Sequence, residues 1–144
     1  MRIIDADMLS YALYDDHIAH PYAWQIVEKA IRGVIEVYVT PITILETYNV
    51  LYWYYKVQPR KDLLKKLKLV VTHLKITQVS LRGLDIAMVE NIPLGDGFLI
   101  ATALEKKIPV IVTNDKDIIK KAPKYGLIIE NPIPPEIQKE MSKE

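Results

Sequence analysis

Two hydrophobic patterns alternate along this chain, and they indicate two kinds of secondary structure. Short runs rich in Ile and Val are typical of buried strands, whereas apolar residues three and four positions apart lie on one face of a helix. The strand pattern occurs at residues 2–5, 34–39, 76–80, 109–112 and 127–129. Helical spacing occupies most of the intervals between these runs. The alternation predicts an α/β fold with a parallel sheet and helices on both faces.

Local signals mark the ends of several predicted helices. Pro21 suits the first turn of a helix, and Gly33 ends the same helix. Thr40 followed by Pro41 is a typical helix start. The helix that begins there carries an apolar stripe, made of Leu45, Tyr48, Leu51, Tyr52 and Tyr55. A second stripe follows Pro59 and is made of Leu63, Leu64, Leu67, Val70, Val71 and Leu74.

The segment from Asp96 to Lys107 is apolar on nearly every side, which predicts a helix in the centre of the fold. Shorter helices are predicted at 8–14, 84–89 and 118–121. No internal repeat or domain boundary is visible before a group of three prolines, Pro132, Pro134 and Pro135. We therefore predict one domain over residues 1–131 and a proline-rich, charged C-terminal tail over residues 132–144.

Composition narrows the classes of function. The chain has 144 residues, of which 50% are apolar and 26% charged, as is typical of a globular protein. It has no cysteine, which excludes disulfides, thiolate metal sites and a cysteine nucleophile. A formal net charge of +1 lacks the basic excess of proteins that only coat nucleic acids. Because the sequence has no apolar run of membrane-spanning length and no signal-peptide pattern after Met1, we expect a cytoplasmic protein.

Four acids are predicted to meet at one edge of the sheet. Asp5 and Asp115 follow the first and fourth predicted strands, and ligands bind beyond the carboxyl ends of parallel strands. Glu46 lies in the second turn of the helix that leaves the second strand. Asp96 begins the central helix, and it faces the same edge if that helix runs back against the sheet.

Each acid also has an ordinary interpretation when it is taken alone. Asp96 and Asp115 suit the N-cap of a helix, and Glu46 suits a solvated helix surface. The set is more informative, because carboxylates about 4 Å apart repel by roughly 4 kcal/mol per pair at an effective dielectric constant near 20. Such a cluster takes up protons or binds a cation. All-oxygen ligands favour Mg²⁺ or Mn²⁺, for which phosphodiester hydrolysis is a natural chemistry.

Four stretches carry these acids. They are Ile3-Ile4-Asp5-Ala6-Asp7, Ile44-Leu45-Glu46-Thr47, Pro93-Leu94-Gly95-Asp96-Gly97-Phe98-Leu99-Ile100-Ala101-Thr102-Ala103 and Val112-Thr113-Asn114-Asp115-Lys116-Asp117. In this order they resemble PIN domains, especially the VapC-type toxin ribonucleases of prokaryotes. The resemblance extends from Met1 to about Asn131, and the stretches around Asp96 and Asp115 are its most specific parts.

The resemblance implies a three-layer α/β/α sandwich with a central, mainly parallel sheet. It implies an endoribonuclease that hydrolyses RNA with a metal-activated water, with Asp5, Glu46, Asp96 and Asp115 as the catalytic acids. Of these, Asp5, Asp96 and Asp115 are expected to bind Mg²⁺ or Mn²⁺. The expected partners are an RNA substrate, a second copy of the chain in a homodimer and a VapB-like antitoxin, with no membrane.

Neighbouring polar residues are candidates for supporting roles. Thr113 and Asn114 suit hydrogen bonds to Asp5 or to a substrate phosphate, and equally suit a turn. Asp117 is a candidate fifth acid. Asp7 stands where the resembled proteins usually carry Ser, Thr or Asn, so it either adds negative charge to the site or starts a helix.

The predicted helix after Thr40 is rich in aromatic residues, namely Tyr48, Tyr52, Trp53, Tyr54 and Tyr55. These rings cannot all face the core from one helix. Those that face outwards are candidates for an oligomer or antitoxin surface.

Two alternatives stay open at this point. The motif Asp5-Ala6-Asp7 also suits a haloacid-dehalogenase-type phosphatase, with Asp5 as the nucleophile and Asp7 as the general acid. Against it, Gly97 is followed by three apolar residues and no second acid.

The other alternative is a catalytically inactive PIN-like module that binds RNA or protein. The modest net charge favours it, and the presence of all four acids argues against it.

Overall fold

The computed structural model describes residues 1–143. The strands are β1 (Arg2–Ile4), β2 (Val37–Val39), β3 (Lys75–Ile76), β4 (Val110–Val112) and β5 (Ile128–Glu130). The helices are α1 (Ala6–Leu13), α2 (His20–Ile31), α3 (Pro41–Asn49), α4 (Arg60–Val71), α5 (Gly83–Glu90), α6 (Leu94–Glu105), α7 (Lys116–Lys121) and α8 (Pro135–Met141). A π-helical turn, Val50–Tyr54, continues α3, and a 3-10 turn, Ala122–Tyr125, continues α7.

The five strands form one parallel sheet in the order β3-β2-β1-β4-β5, which confirms the predicted fold class. Two predicted strands are too long. The second begins at Val37, which pairs with Arg2 at the start of β1, because a strand can pair only over the length of its neighbour. The third is reduced to Lys75–Ile76.

Alternating side chains on the strands divide the core into two clusters. Ile4 and Val112 pack with buried residues of α1, α2 and α4. Ile3 and Ile111 pack with buried residues of α6 and α7. Since successive strand residues point to opposite faces, the two clusters lie on opposite sides of the sheet. The three-layer α/β/α arrangement is thereby confirmed.

The apolar stripe predicted for α3 is wrong at Leu45, whose side chain is 58% exposed. The buried face carries Thr43 and Thr47 instead, and Leu51 continues it. Burial of Thr47 is tolerated because its hydroxyl donates to the Thr43 carbonyl at 2.7 Å, so no polar group is left without a partner. On α4, Leu64 is also exposed rather than part of the buried stripe.

The predicted central helix is α6, which begins two residues before Asp96 and buries residues 99–103. It packs against α5 at a close approach between Gly97 and Gly83, where a side chain on Gly97 would collide with the Gly83 carbonyl. This start places Asp96 inside the first turn of the helix rather than at its cap.

The C-terminal segment contains α8, and its Ile137 and Met141 pack against the core cluster that includes Ile4. Ile133 before α8 is buried. The division of the chain after residue 131 stays a prediction. Within residues 1–143 no helix combines the length and the apolar character that a membrane span requires.

Candidate functional site

The central strands β1 and β4 end side by side, and the residues that follow them are tied together. The backbone N–H of Asp5 donates to the Val112 carbonyl at 3.0 Å. The Thr113 hydroxyl donates to Asp5 Oδ2 at 2.7 Å. Asp5 therefore begins α1 directly beside the turn that leads from β4 to α7.

Asp5 is buried and is also the N-cap of α1. Its Oδ1 accepts from the Ala6 backbone N–H at 2.7 Å, and its Oδ2 accepts from Thr113. Burial nevertheless raises the pKa of Asp5 to about 6, because these hydrogen bonds offset only part of the desolvation and because Asp115 and Glu46 repel its charge.

Asp115 is the N-cap of α7. Its Oδ1 accepts from the backbone N–H groups of Asp117 and Ile118, at 2.9 and 3.2 Å. Its own N–H donates to the Thr113 hydroxyl at 2.9 Å. The capping interpretation considered for Asp115 thus describes its geometry, while its carboxylate still contributes to the acidic cluster.

Asp96 differs from both, because it caps no helix. Its Oδ2 is buried and, among residues 1–143, has no hydrogen-bond partner. Burial and repulsion by Asp115 and Asp5 raise the pKa of Asp96 to about 8. A buried carboxylate oxygen without a donor is costly, so this position favours a proton or a bound cation.

Asp5, Asp96 and Asp115 each offer a carboxylate oxygen within 4.8 Å of the others. This spacing is suited to a single metal ion, and the all-oxygen donor set fits a hard cation such as Mg²⁺ or Mn²⁺. The three residues come from different connections, so the fold and not local sequence brings them together.

Glu46 lies against the first turn of α6. A methyl group built on Gly95 would collide with the Glu46 carboxylate, so the absence of a side chain at Gly95 makes room for it. Burial and repulsion by Asp115 raise the pKa of Glu46. The structure therefore places the fourth predicted acid at the same edge, against Gly95, the residue that precedes Asp96.

The candidate supporting residues differ in how they contact the acids. The side chain of Thr113 contacts Asp5 directly, through its hydroxyl. Asn114 supports from the backbone, since its N–H donates to Asp7 Oδ2 at 3.1 Å, and its side-chain oxygen accepts from Asn131 at 2.8 Å. Asp117 contributes its backbone N–H, which donates to Asp115, while Asp117 itself is exposed.

Asp7 lies in the first turn of α1 and accepts from the Met8 N–H as well as from Asn114. Burial and repulsion by Asp5 raise its pKa well above the ordinary value. Asp7 therefore belongs to the start of the helix, and its carboxyl lies beside Asp5.

Two residues at the site were not predicted. Gly95 could have been found from the Gly-Asp-Gly sequence around Asp96, because glycine next to a candidate ligand indicates a close approach. Asn131 lies after β5, and no pattern in the sequence relates it to Asn114, because the contact exists only in the folded chain.

Comparison with known proteins identifies one family model. The model of the PIN domain matches residues 2–124. Among curated proteins, none matches this chain significantly.

Three solved structures share the fold. PAE2754 from Pyrobaculum aerophilum has a TM-score of 0.65 and 22% identity, covering 89% of each chain. VapBC2 from Rickettsia felis, solved bound to a DNA fragment from the promoter, has a TM-score of 0.64 and 16% identity, covering 90% of this chain and 97% of that chain. The sarcin-ricin loop cleaving toxin VapC20 from Mycobacterium tuberculosis has a TM-score of 0.64 and 13% identity, covering 83% of this chain and 94% of that chain. At these identities the likeness concerns the fold.

Proposed function

The chain belongs to the PIN-domain family, and from that premise we propose that it is a ribonuclease that depends on a divalent metal ion. The observation that carries the proposal is the convergence of Asp5, Asp96 and Asp115, each of which offers one carboxylate oxygen within 4.8 Å of the others. The family assignment argues against the phosphatase alternative, which needs a different fold.

The proposed ligands are Asp5, Asp96 and Asp115. The buried Oδ2 of Asp96 supports this assignment, because it has no other partner among the residues described. A bound Mg²⁺ or Mn²⁺ would supply the positive charge that attracts a phosphodiester and activates a water for attack.

The residues around the ligands hold them in place before substrate arrives. Thr113 fixes Asp5 Oδ2, while the N-terminal amides of α7 fix Asp115 Oδ1. Donors therefore direct both oxygens of Asp5 and one oxygen of Asp115, so little reorganisation is needed on binding.

Glu46 has a separate proposed role. Its half-buried carboxylate lies beside Gly95, and its raised pKa suits a group that accepts the proton of the attacking water. We assign it to proton transfer rather than to metal binding, because it lies outside the close trio of carboxylates.

The biological role we propose is that of a VapC-type toxin. The fold is shared with the toxin VapC20 and with VapBC2, which supports a VapB-like antitoxin as a partner of this chain. The proposal includes a homodimer and action on RNA in the cytoplasm. A small DNA-binding protein encoded next to this chain would be the expected antitoxin.

The function is tested by cleavage of a mixed RNA panel with Mg²⁺ or Mn²⁺. We expect cleavage with either ion and none with EDTA, and no cleavage by the Asp96→Asn variant. Cleavage that persists both in EDTA and in Asp96→Asn would refute the carboxylate mechanism. If the intact protein binds RNA but cleaves none of the panel, and if metal does not raise its melting temperature, the inactive binding module is the better description.

A further inference from the structure

Two exposed aromatic rings on the π-helical turn after α3 share a cavity with Asp7. We propose that Trp53 and Tyr54 form a nucleobase-stacking subsite for a single RNA strand, whose phosphates contact Lys116 and Lys139. This inference rests on the proposed ribonuclease function and names where the substrate binds. It concerns residues that the carboxylate mechanism does not use.

Both rings are unusually accessible for their size. Trp53 is 59% exposed and Tyr54 is 75% exposed. Each is braced by an edge-on neighbour, with ring centroids 4.8 Å apart for Tyr52 and Trp53 and 4.9 Å apart for Tyr54 and Tyr55. A braced ring loses little conformational freedom when a base stacks on it, so exposure and rigidity together favour a stacking platform.

The rings open onto the acidic site through one cavity. A space of about 640 Å³ is lined by Trp53, Tyr54 and Asp7, among others. Asp7 accepts a hydrogen bond from the N–H of Asn114, the residue before Asp115. The cavity therefore joins both rings to Asp7, whose carboxyl contacts the turn that carries Asp115.

A second cavity shares the lining residue Tyr54 with the first. It has a volume of about 700 Å³, and Tyr54 and Asn114 also line it. Its charged lining residues are Lys116 and Lys139, both exposed, and none of the acids among residues 1–143 lines it. This combination of aromatic rings and cations matches the way single strands are held, by stacking of bases and neutralisation of phosphates.

Cations also lie on the other side of Trp53, near Tyr52. The Arg60 guanidinium lies over the Tyr52 ring at 4.7 Å from its centroid, next to Trp53. The helix that Arg60 begins exposes Lys61, Lys65 and Lys68 around a further cavity. The charge on both sides favours an anionic strand over an apolar protein segment. A duplex would also leave the rings unused, because its base faces are covered.

The two tryptophans of the chain allow a direct test, since Trp24 lies on α2, away from these cavities. Both variants are made in an Asp96→Asn background and measured in EDTA. Trp24→Phe leaves Trp53 as the only tryptophan emitter, and Trp53→Phe leaves Trp24 as the only one. Each variant is titrated with an oligoadenylate of about eight nucleotides, a length that one single-strand binding site can cover. Binding is thus measured without cleavage, and it can fail or succeed independently of the ribonuclease assay.

We expect the oligoadenylate to quench the Trp53 emission and to leave the Trp24 emission unchanged. Trp53→Leu should weaken binding about tenfold, whereas Trp53→Phe, which keeps an aromatic face, should stay within about twofold. Replacing Lys116 and Lys139 by Met should lower the salt dependence of binding. A hairpin with a fully paired stem of the same length should bind more weakly than the single strand.

The proposal is overturned if saturating oligoadenylate leaves the Trp53 emission unchanged, or if Trp53→Leu and Trp53→Phe bind equally well. Sedimentation of both variants identifies the competing occupant. If Trp53→Leu dissociates an oligomer and leaves RNA affinity unchanged, the rings belong to an interface between copies. RNA cleavage with an unquenched Trp53 would refute this subsite and leave the ribonuclease function standing.

Discussion

Two clusters in this protein contain a largely buried carboxylate, and the charges around that carboxylate have opposite signs. The Glu90 side chain at the end of α5 is only 7% exposed, and it is surrounded by cations and a hydroxyl. Lys124 pairs with it, Lys121 lies 3.8 Å away, and the Tyr125 hydroxyl donates to it at 2.5 Å. At the ends of β1 and β4, by contrast, Asp96 is surrounded by other acids.

The pKa values follow this difference. The hydrogen bond with Lys124 lowers the pKa of Glu90, whereas burial and like charge raise the pKa of Asp96 to about 8. The charge of Glu90 is neutralised by neighbouring lysines, so this cluster needs no ligand and links α5 to the end of α7. The cluster at Asp96 is incomplete, and incompleteness is what distinguishes a binding site from an ion-pair network of similar composition.

The largest predicted contrast is in RNA cleavage at saturating metal. Asp96→Asn should lower the rate about a thousandfold, because a metal ion contributes several kcal/mol to the transition state and each 1.36 kcal/mol is tenfold in rate. Glu90→Gln, the matched loss of one charge, should stay within about twofold of the unaltered protein. Equal losses in the two variants would mean that cleavage reports folding and not the site.

A second contrast removes one hydroxyl from each cluster. Thr113→Val deletes the donor to Asp5, and Tyr125→Phe deletes the donor to Glu90. Thr113→Val should weaken Mn²⁺ binding about tenfold, because residues that orient a ligand typically contribute that much to metal affinity. Tyr125→Phe should leave Mn²⁺ affinity unchanged and lower the melting temperature. Titration calorimetry measures Mn²⁺ affinity in both variants. Unchanged affinity in Thr113→Val would contradict the role of Thr113 in orienting Asp5.

A third contrast concerns stability without metal at neutral pH. Asp96→Asn should raise the melting temperature in EDTA by about 3–8 °C, since it relieves a buried oxygen without a partner that costs about 1–3 kcal/mol. Glu90→Gln should lower the melting temperature, because Lys121 and Lys124 lose their counter-charge. Thermal denaturation followed by circular dichroism measures both, and a destabilised Asp96→Asn would contradict the assignment of Asp96 as the unsatisfied acid.

The smallest contrast is in the pH dependence of stability in EDTA. Asp5 and Asp96 have folded-state pKa values of about 6 and about 8, above the ordinary value of 3.8, so they stabilise the fold below pH 4 and lose that contribution as the pH rises through 6 and 8. Glu90 has a lowered pKa, so its contribution is present above its ordinary pKa of 4.5 and is lost on acidification.

We therefore expect the melting temperature to fall between pH 5 and pH 9 in EDTA, with a shallower fall in Asp96→Asn. Added Mg²⁺ should flatten the profile, since it replaces the missing proton. Below pH 4.5 the slope should reverse, and Glu90→Gln should lack this acid limb. Parallel profiles for the unaltered protein and Asp96→Asn would show that Asp96 does not titrate in this range.

Much of the fold could be predicted because its signals are local. The start of α3 at Thr40 is an example, since the Thr40 hydroxyl accepts from the Thr43 N–H at 3.1 Å within one turn. The end of α2 before Gly33 is another, because Gly33 adopts a φ of 74° that glycine tolerates. The stripe through Leu45 failed because helical spacing does not say which side of α3 meets the core.

The site was predictable in position and less so in detail. All four acids could be placed at one edge of the sheet, but the capping interpretation considered for Asp96 and Asp115 holds only for Asp115. Asp96 caps nothing, whereas Asp5, for which no cap was considered, is the N-cap of α1. Helix boundaries shifted by two residues are enough to move a carboxylate from a cap into the interior of a site.

The sequence itself determines the order of strands and helices, the absence of thiol chemistry and the position of Asp5 and Asp115 after strand ends. Periodicity, caps and residue chemistry act over only a few positions. Tertiary structure alone decided which carboxylate oxygen remains without a partner and which aromatic rings share a cavity with Asp7. Thr113 meets Asp5 across 108 positions of the chain, and Trp53 shares a cavity with Asp7. Contacts over such separations depend on how the layers pack around the sheet, and no local pattern encodes them.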